Sequence, residues 1–286
     1  MTSSPPTSIR RIVHDFIRFV TVLFGLALLP FAYGYGEATR TPRVVPYDVR
    51  SPAWTAPPLR IALISDTHAV FPDMPPSRLK RVCDQVSALA PDIVVLAGDY
   101  VGRTSARTGT VSPEDAVAPF ARCHARLGVY AVLGNHDMRV PGDAAQVEAG
   151  LYAAGVVVLR NTAARVCGFW IAGADDGDYG HPDVARALAS VPPGAPLLFV
   201  AHNPDVFAAV PARVALMLAG HTHGGQVAPF GRPLTLPITH VAWARGLVAD
   251  HGGLMVVTSG IGASGVPIRI GVPPEIALIT LIRGPP

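Results

Sequence analysis

Five apolar runs of strand length each end on side chains that bind metals. LRIALIS (59–65) runs into Asp66-Thr67-His68, and DIVVLAG (92–98) into Asp99-Tyr100. VYAVLG (129–134) runs into Asn135-His136-Asp137, PLLFVA (196–201) into His202-Asn203, and VALMLAG (214–220) into His221-Thr222-His223. Runs that are apolar on both faces are strands buried between two layers. In α/β folds ligands bind outside the carboxyl ends of strands. The repeated pattern therefore gathers residues distant in sequence at one rim, with five of the ten histidines among them.

The rest of the chain from residue 59 fits the same architecture. VVVL (156–159), FWIAG (169–173), LMVVTSG (254–260) and EIALITLI (275–282) are further strands. Over 77–90, Leu79, Val82, Cys83, Val86 and Leu89 keep helical spacing, with Ser77 as N-cap. A helix is predicted over 112–127, capped by Ser112 with Pro113 at its first position, although Pro119 resists a helix interior. A third is predicted over 143–154, with Asp143 and Gln146 as a capping box and Gly155 as the stop. Strands alternating with helices make an α/β protein with a layered sheet. Residues 223–253, rich in Gly and Pro, read as a long loop that holds at most a hairpin.

The N-terminal part differs. Residues 1–15 read as a disordered tail, 16–36 as a transmembrane or signal-anchor segment, 37–58 as a linker with five prolines, and 59–286 as the main domain. The run from Phe19 to Gly36 carries no charge and meets the lower length limit for a bilayer span. An uncleaved anchor and a cleaved signal peptide are both open, and Arg10-Arg11 also fits a twin-arginine export signal loosely. Arginines flank both ends of the span, and the short N-tail favours a domain outside the cytoplasm, on a plasma (inner) membrane anchor.

Half the residues are hydrophobic and 15% are charged, which excludes a disordered chain. A net charge of +3 with no basic run gives no reason to expect nucleic acid as a partner. Cys83, Cys123 and Cys167 lie far apart and read as small buried hydrophobes rather than a disulfide framework.

The ligand types choose the chemistry. Carboxylates, an amide and imidazoles without a thiolate suit Mn, Fe, Zn or Co. Asp99, with two oxygens, could bridge two such ions, whose charge attracts a phosphate and makes hydroxide available at neutral pH. Glycines before Asp99, Asn135 and His221 are expected to let the backbone turn sharply.

The ordered set Asp66-x-His68, Gly98-Asp99, Gly134-Asn135-His136-Asp137, His202 and Gly220-His221-x-His223 resembles the calcineurin-like metallophosphoesterase superfamily. GDY at 98–100, HNPD at 202–205, GHTHGGQ at 220–226 and PEIALITL at 274–281 resemble its bacterial membrane-anchored subgroup. That subgroup includes UDP-2,3-diacylglucosamine pyrophosphohydrolases of lipid A synthesis. The resemblance implies a four-layer αββα sandwich and a dinuclear metal centre of Mn, Fe or Zn. One metal would take Asp66, His68, Asp99 and His223, and the other Asp99, Asn135, His202 and His221. His136 would face the phosphate and its leaving group, with Asp137 orienting its imidazole. The reaction implied is hydrolysis of a phosphodiester or pyrophosphate, which could be a lipid-linked nucleotide, by metal-bound hydroxide. A catalytically silent binding module of the same fold is the alternative from another class. Gln226 is a candidate lining residue. Arg103, Arg139 and Arg160 are candidate phosphate clamps or surface charges, and Asp175-Asp176-Gly177-Asp178 is a third metal site or a solvated turn.

Overall fold

In a computed structural model, which describes residues 7–102 and 109–285, all nine predicted strand segments form strands. They are β2 (Leu59–Ile64), β3 (Ile93–Leu96), β4 (Val129–Ala131), β5 (Val157–Val158), β7 (Phe169–Gly173), β8 (Leu197–Val200), β9 (Leu216–Ala219), β11 (Gly253–Val257) and β12 (Glu275–Arg283). Three more come from outside that set: β1 (Arg43–Ser51), β6 (Thr162–Val166) and β10 (Gly246–Asp250). Two six-stranded sheets result, ordered β1-β12-β2-β3-β4-β5 and β10-β11-β9-β8-β7-β6. β2 to β5 run parallel, as do β7, β8, β9 and β11.

The period of two along each strand explains why the runs are apolar throughout. Ile61, Leu63, Ile93 and Val95 of one sheet meet Leu198, Val200, Leu216 and Leu218 of the other in a core between the sheets. Ala62, Ile64, Val94 and Leu96 face the opposite way, against α2 (Pro76–Ala88), α3 (Pro113–Val117) and α5 (Asp143–Ala153). Leu197, Phe199, Met217 and Ala219 pack under α6 (Val184–Leu188) and the loop carrying Trp243. The order of layers is therefore helix, sheet, sheet, helix.

Local chemistry explains the departures from expectation. α2 buries Leu79, Val82, Cys83 and Val86 as the spacing predicts, but Pro75, not Ser77, stands at its N-cap. Ser112 caps α3 by accepting the Asp115 N–H at 3.0 Å, yet the helix tightens to a 3₁₀ turn at Ala118–Arg122, where Pro119 lies. α5 starts after Gly142 at φ 91°, without the Asp143 capping box. The segment read as a linker holds β1, a nine-residue strand paired in parallel with β12 across its whole length. Cys83 and Cys123 form a disulfide between α2 and the 3₁₀ turn after α3, which corrects the reading of all three cysteines as unpaired; Cys167 is free and exposed.

At the N-terminus, α1 (Thr7–Thr39) is a helix of 33 residues, so part of the expected disordered tail is helical; residues 1–6 lie outside the described residues. Its stretch Arg10–Thr39 is long and apolar enough to cross a membrane. Its last turns are buried against the domain at Gly34 and Ala38.

Candidate metal centre

Every predicted ligand sits just past the carboxyl end of a strand. Asp66 and His68 follow β2, Asp99 follows β3, and Asn135 and His136 open the single-turn helix α4 (Asn135–Met138) after β4. His202 follows β8, and His221 and His223 follow β9. The two sheets thus deliver their donors to one place from opposite sides.

Distances arrange these donors into two clusters joined by one carboxylate. Oδ2 of Asp99 lies 3.4 Å from Nε2 of His68 and 3.4 Å from Nε2 of His202. On one side, Nε2 of His68 and Nε2 of His223 are 3.1 Å apart, and the latter is 3.4 Å from Oδ1 of Asp66. On the other, Nε2 of His202 is 3.1 Å from both Nδ1 of His221 and Oδ1 of Asn135. Asp66-His68-His223 and Asp99-His202-His221 each satisfy the spacing of a metal-binding group, as does His68-Asp99-His136.

Two observations fit a cation between these donors. Oδ1 of Asp66 is buried with no hydrogen-bond partner, a costly state for a carboxylate oxygen unless a cation meets it. The imidazoles are also committed at their outer nitrogens. His202 donates from Nδ1 to Ala97 O at 2.7 Å, and His221 from Nε2 to Pro237 O at 3.1 Å. Each bond leaves the inward nitrogen with its lone pair, the tautomer a metal needs. Burial pushes the pKa of His68, His221 and His223 down, which keeps these rings neutral. Burial acts the same way on His202, but the Asp99 and Asp66 carboxylates outweigh it and raise that pKa, so a cation binding at its Nε2 would displace a proton held there by those carboxylates. Asp99 is held well below the usual carboxylate range: burial opposes this, but His202, His68 and His136 prevail.

The backbone is strained where the donors are. Asp66, His68, Asp99, His221 and His223 all have positive φ, between 44° and 70°. Side chains bearing a Cβ resist this region at a cost of about 1–3 kcal/mol each. The expectation that three glycines supply the sharp turns holds only for Gly98, at φ 91°. Gly134 has φ −103° and serves close approach instead, because a Cβ there would overlap Asp99 Oδ1. The ligands themselves make the turns.

Asp137 occupies a different place from the one expected. Its Oδ2 accepts the backbone N–H groups of Asp99 and Gly134, each at 2.9 Å. Its Oδ1 accepts those of Tyr100 at 2.8 Å and Val101 at 3.1 Å. The carboxylate thus fixes the two ligand-bearing loops rather than the His136 ring. His136 donates its own backbone N–H to Asp99 Oδ1 at 2.8 Å, and its half-buried ring meets His68 edge-on at 4.7 Å.

A cavity of about 340 Å³ opens over the donors, lined by Asp99, Asn135, His136, His221, His223 and Gln226 among others. Gln226 lines it as expected and also pins the opposite wall, donating to Ser264 O at 3.0 Å and accepting from Ser264 N at 2.8 Å. Arg160 is engaged by Asp175 at 2.8 Å, Arg139 is exposed, and Arg103 lies outside the described residues. Asp176 is buried, not solvated, and its Oδ1 closes a turn on the N–H groups of Asp178 and Tyr179. Sequence reasoning missed Arg269, which is wholly buried with Nη2 3.4 Å from Nδ1 of His223. It bonds the carbonyls of Ser259, Gly262 and Val272, and burial lowers its pKa to about 10.

Two facing sheets with Asp, Asn and His donors converging at their carboxyl ends define a metallophosphoesterase sandwich. The chain belongs to the calcineurin-like phosphoesterase family, which it matches over residues 59–225. It is 33% identical, over 87% of its length and 59% of the relative's, to a "Transmembrane protein with metallophosphoesterase domain" of Danio rerio. It is 31% identical to a metallophosphoesterase of Aquifex aeolicus, over 92% of this chain and 98% of that one. It is 28% identical to "UDP-2,3-diacylglucosamine pyrophosphatase LpxG" of Chlamydia trachomatis, over 79% of this chain and 84% of the relative. The chain spans 48–60% of the length of several relatives, including the Danio rerio, Caenorhabditis elegans and Bos taurus proteins.

Proposed function

We propose that this chain is a membrane-anchored phosphoesterase that hydrolyses a phosphodiester or pyrophosphate bond at two divalent cations. One cation would be held by Asp66, His68, Asp99 and His223, the other by Asp99, Asn135, His202 and His221. The observation that carries this reading is the equal 3.4 Å reach of Asp99 Oδ2 to His68 and His202, which lets one carboxylate serve both donor clusters. Nitrogen and oxygen donors without a thiolate suit Mn, Fe or Zn. When bound, such a pair supplies Lewis-acid activation of water and neutralises charge on the phosphoryl group.

The chain's own residues do the rest. The His136 ring, half-buried at the cavity, hydrogen-bonds a phosphoryl oxygen and gives a proton to the leaving oxygen. Its backbone N–H holds Asp99 Oδ1, leaving Oδ2 as the oxygen that faces His68 and His202. Asp137 keeps the loops of Asp99 and Asn135 in register through four backbone bonds. His202 and His221 keep their tautomers through Ala97 O and Pro237 O.

α1 is the anchor in this reading. Its last turns are held by domain residues, as an uncleaved segment would be: Gly34 O accepts from Arg269 N, and Ala38 O from Arg78. The Cys83–Cys123 disulfide supports a domain outside the cytoplasm, since such bonds persist in oxidising compartments. A lipid A precursor pyrophosphatase is the second reading, favoured by the similarity to LpxG. It places the domain on the cytoplasmic face, where the disulfide would be out of place.

Mass spectrometry of products separates the two. Mn-loaded full-length protein in detergent receives UDP-2,3-diacylglucosamine in one well and bis(p-nitrophenyl) phosphate in another. Hydrolysis of the second alone, abolished by chelator, supports the envelope phosphoesterase. Release of UMP and a lipid phosphate from the first supports the precursor reading. Hydrolysis of neither overturns both.

A further inference from the structure

The last turns of α1 pack directly on the domain. The Gly34 carbonyl accepts the Arg269 backbone N–H at 2.9 Å, and Arg78 reaches the carbonyls of Ala38 and Arg40, each at 2.9 Å. A Cβ on Gly34 would stand 2.9 Å from Cβ of Ile268, so helix and loop touch closely. The uncharged run of α1 ends at Gly36, with Glu37 next. The contact between α1 and residues 268–269 therefore falls within about 5 Å of the end of the apolar span, at 1.5 Å per residue.

The segment that touches α1 also pairs with the strip of chain that carries Gln226, a wall of the metal cavity. Ile270 N donates to Gln226 O at 3.0 Å, and Ala228 N to Ile270 O at 2.8 Å. Gln226 and Ser264 line the cavity. Beyond Ala228 the loop leaves several apolar side chains in solvent. Phe230 is fully exposed at φ 55°, Leu234 is 68% exposed, and Val266, on the neighbouring loop, is 48% exposed. Water gives no return for an exposed phenyl group on a strained backbone. Arg232 and Arg245 are exposed on this same stretch of chain. A surface that is apolar, weakly cationic and joined to a membrane helix suits lipid.

We propose that the loops around Phe230, Leu234 and Val266 enter the interface of the bilayer that α1 crosses, and that the metal cavity opens onto that interface. The substrate is then an amphiphile whose phosphate ester is presented by the membrane. This rests on the reading of α1 as an anchor and of the cavity as a phosphoesterase site.

Depth-dependent quenching tests the surface without any substrate. Full-length protein carrying Cys167→Ser and Phe230→Cys is labelled with bimane and reconstituted in phosphatidylcholine–phosphatidylglycerol vesicles doped with nitroxide lipid. Protein labelled at native Cys167 is the control. That residue is exposed in the β6–β7 turn, at the opposite end of β7 from the metal centre. We expect quenching at 230 at least about two-fold stronger than at 167; equal quenching overturns the proposal. The second arm compares hexadecyl with methyl p-nitrophenyl phosphate. Phe230→Asp with Leu234→Asp should lower hydrolysis of the long-chain ester in vesicles about ten-fold and leave the methyl ester unchanged. Equal effects on both esters, or on neither, count against the surface. Failure of the phosphoesterase reading shows separately, as no hydrolysis of either ester by the unaltered protein.

Discussion

The carboxylate of Asp137 accepts the backbone N–H of Asp99 at 2.9 Å, so one buried aspartate sets the position of another. The same carboxylate takes three further N–H groups, from Gly134, Tyr100 and Val101. Asp137→Asn puts an amide donor against donors. We expect a stability loss of about 2–4 kcal/mol by urea unfolding, and a fall in metal affinity or turnover of about 10–100-fold. Wild-type stability in this variant would contradict the role given to Asp137.

His136 and Asp99 should separate by metal content. His136→Ala leaves both donor clusters intact, so turnover should drop by about 10²–10⁴-fold with both metals retained. Asp99→Ala removes the shared oxygen and should lose metal as well as activity. Elemental analysis beside kinetics checks the pair. Loss of metal from His136→Ala would move that residue among the ligands.

The sequence makes the strands and the donors legible because both rest on local pattern. The apolar runs call for cover on two faces, and five of the nine end on side chains with a lone pair. What stayed hidden depends on partners far along the chain. β1 contains Pro46, Asp48 and Arg50 and reads as a linker until β12 pairs with it. Cys83 and Cys123 meet only because α2 packs on the turn after α3. Arg269 stands in none of the motifs, yet four carbonyl and imidazole neighbours enclose it. The left-handed backbone at Asp66, His68, Asp99, His221 and His223 has no sequence signal at all, because these residues are chosen for their donors rather than their φ.

The disulfide should be readable by thiol counting. Of three cysteines, only Cys167 should react in denaturant without reductant, and all three after reduction. Cys83→Ser should lower stability by about 2–4 kcal/mol. Three reactive thiols in unreduced protein from an oxidising compartment would contradict the bond and the location it supports.

Asp92 offers a pH test away from the metals. Although burial pushes its pKa up, the Arg60 N–H at 2.9 Å and the Arg126 guanidinium at 2.8 Å outweigh this and hold it below 3.8. A carboxylate whose pKa is lower folded than unfolded stabilises the protein above the unfolded value and loses that contribution as pH falls through the folded one. Asp92→Asn should therefore cost up to about 1 kcal/mol near neutral pH, discounted by solvent screening. The gap to wild type should close in acid. A gap that persists unchanged once the folded protein's Asp92 has taken up its proton would contradict the assignment.

The most direct test of a two-cation phosphoesterase is a metal titration of chelator-stripped, full-length protein with Mn²⁺, followed by hydrolysis of bis(p-nitrophenyl) phosphate. Activity should rise from background and level off near two equivalents per chain, as the two donor clusters joined by Asp99 require. Full activity in excess chelator, or a plateau at one equivalent, would contradict the centre described.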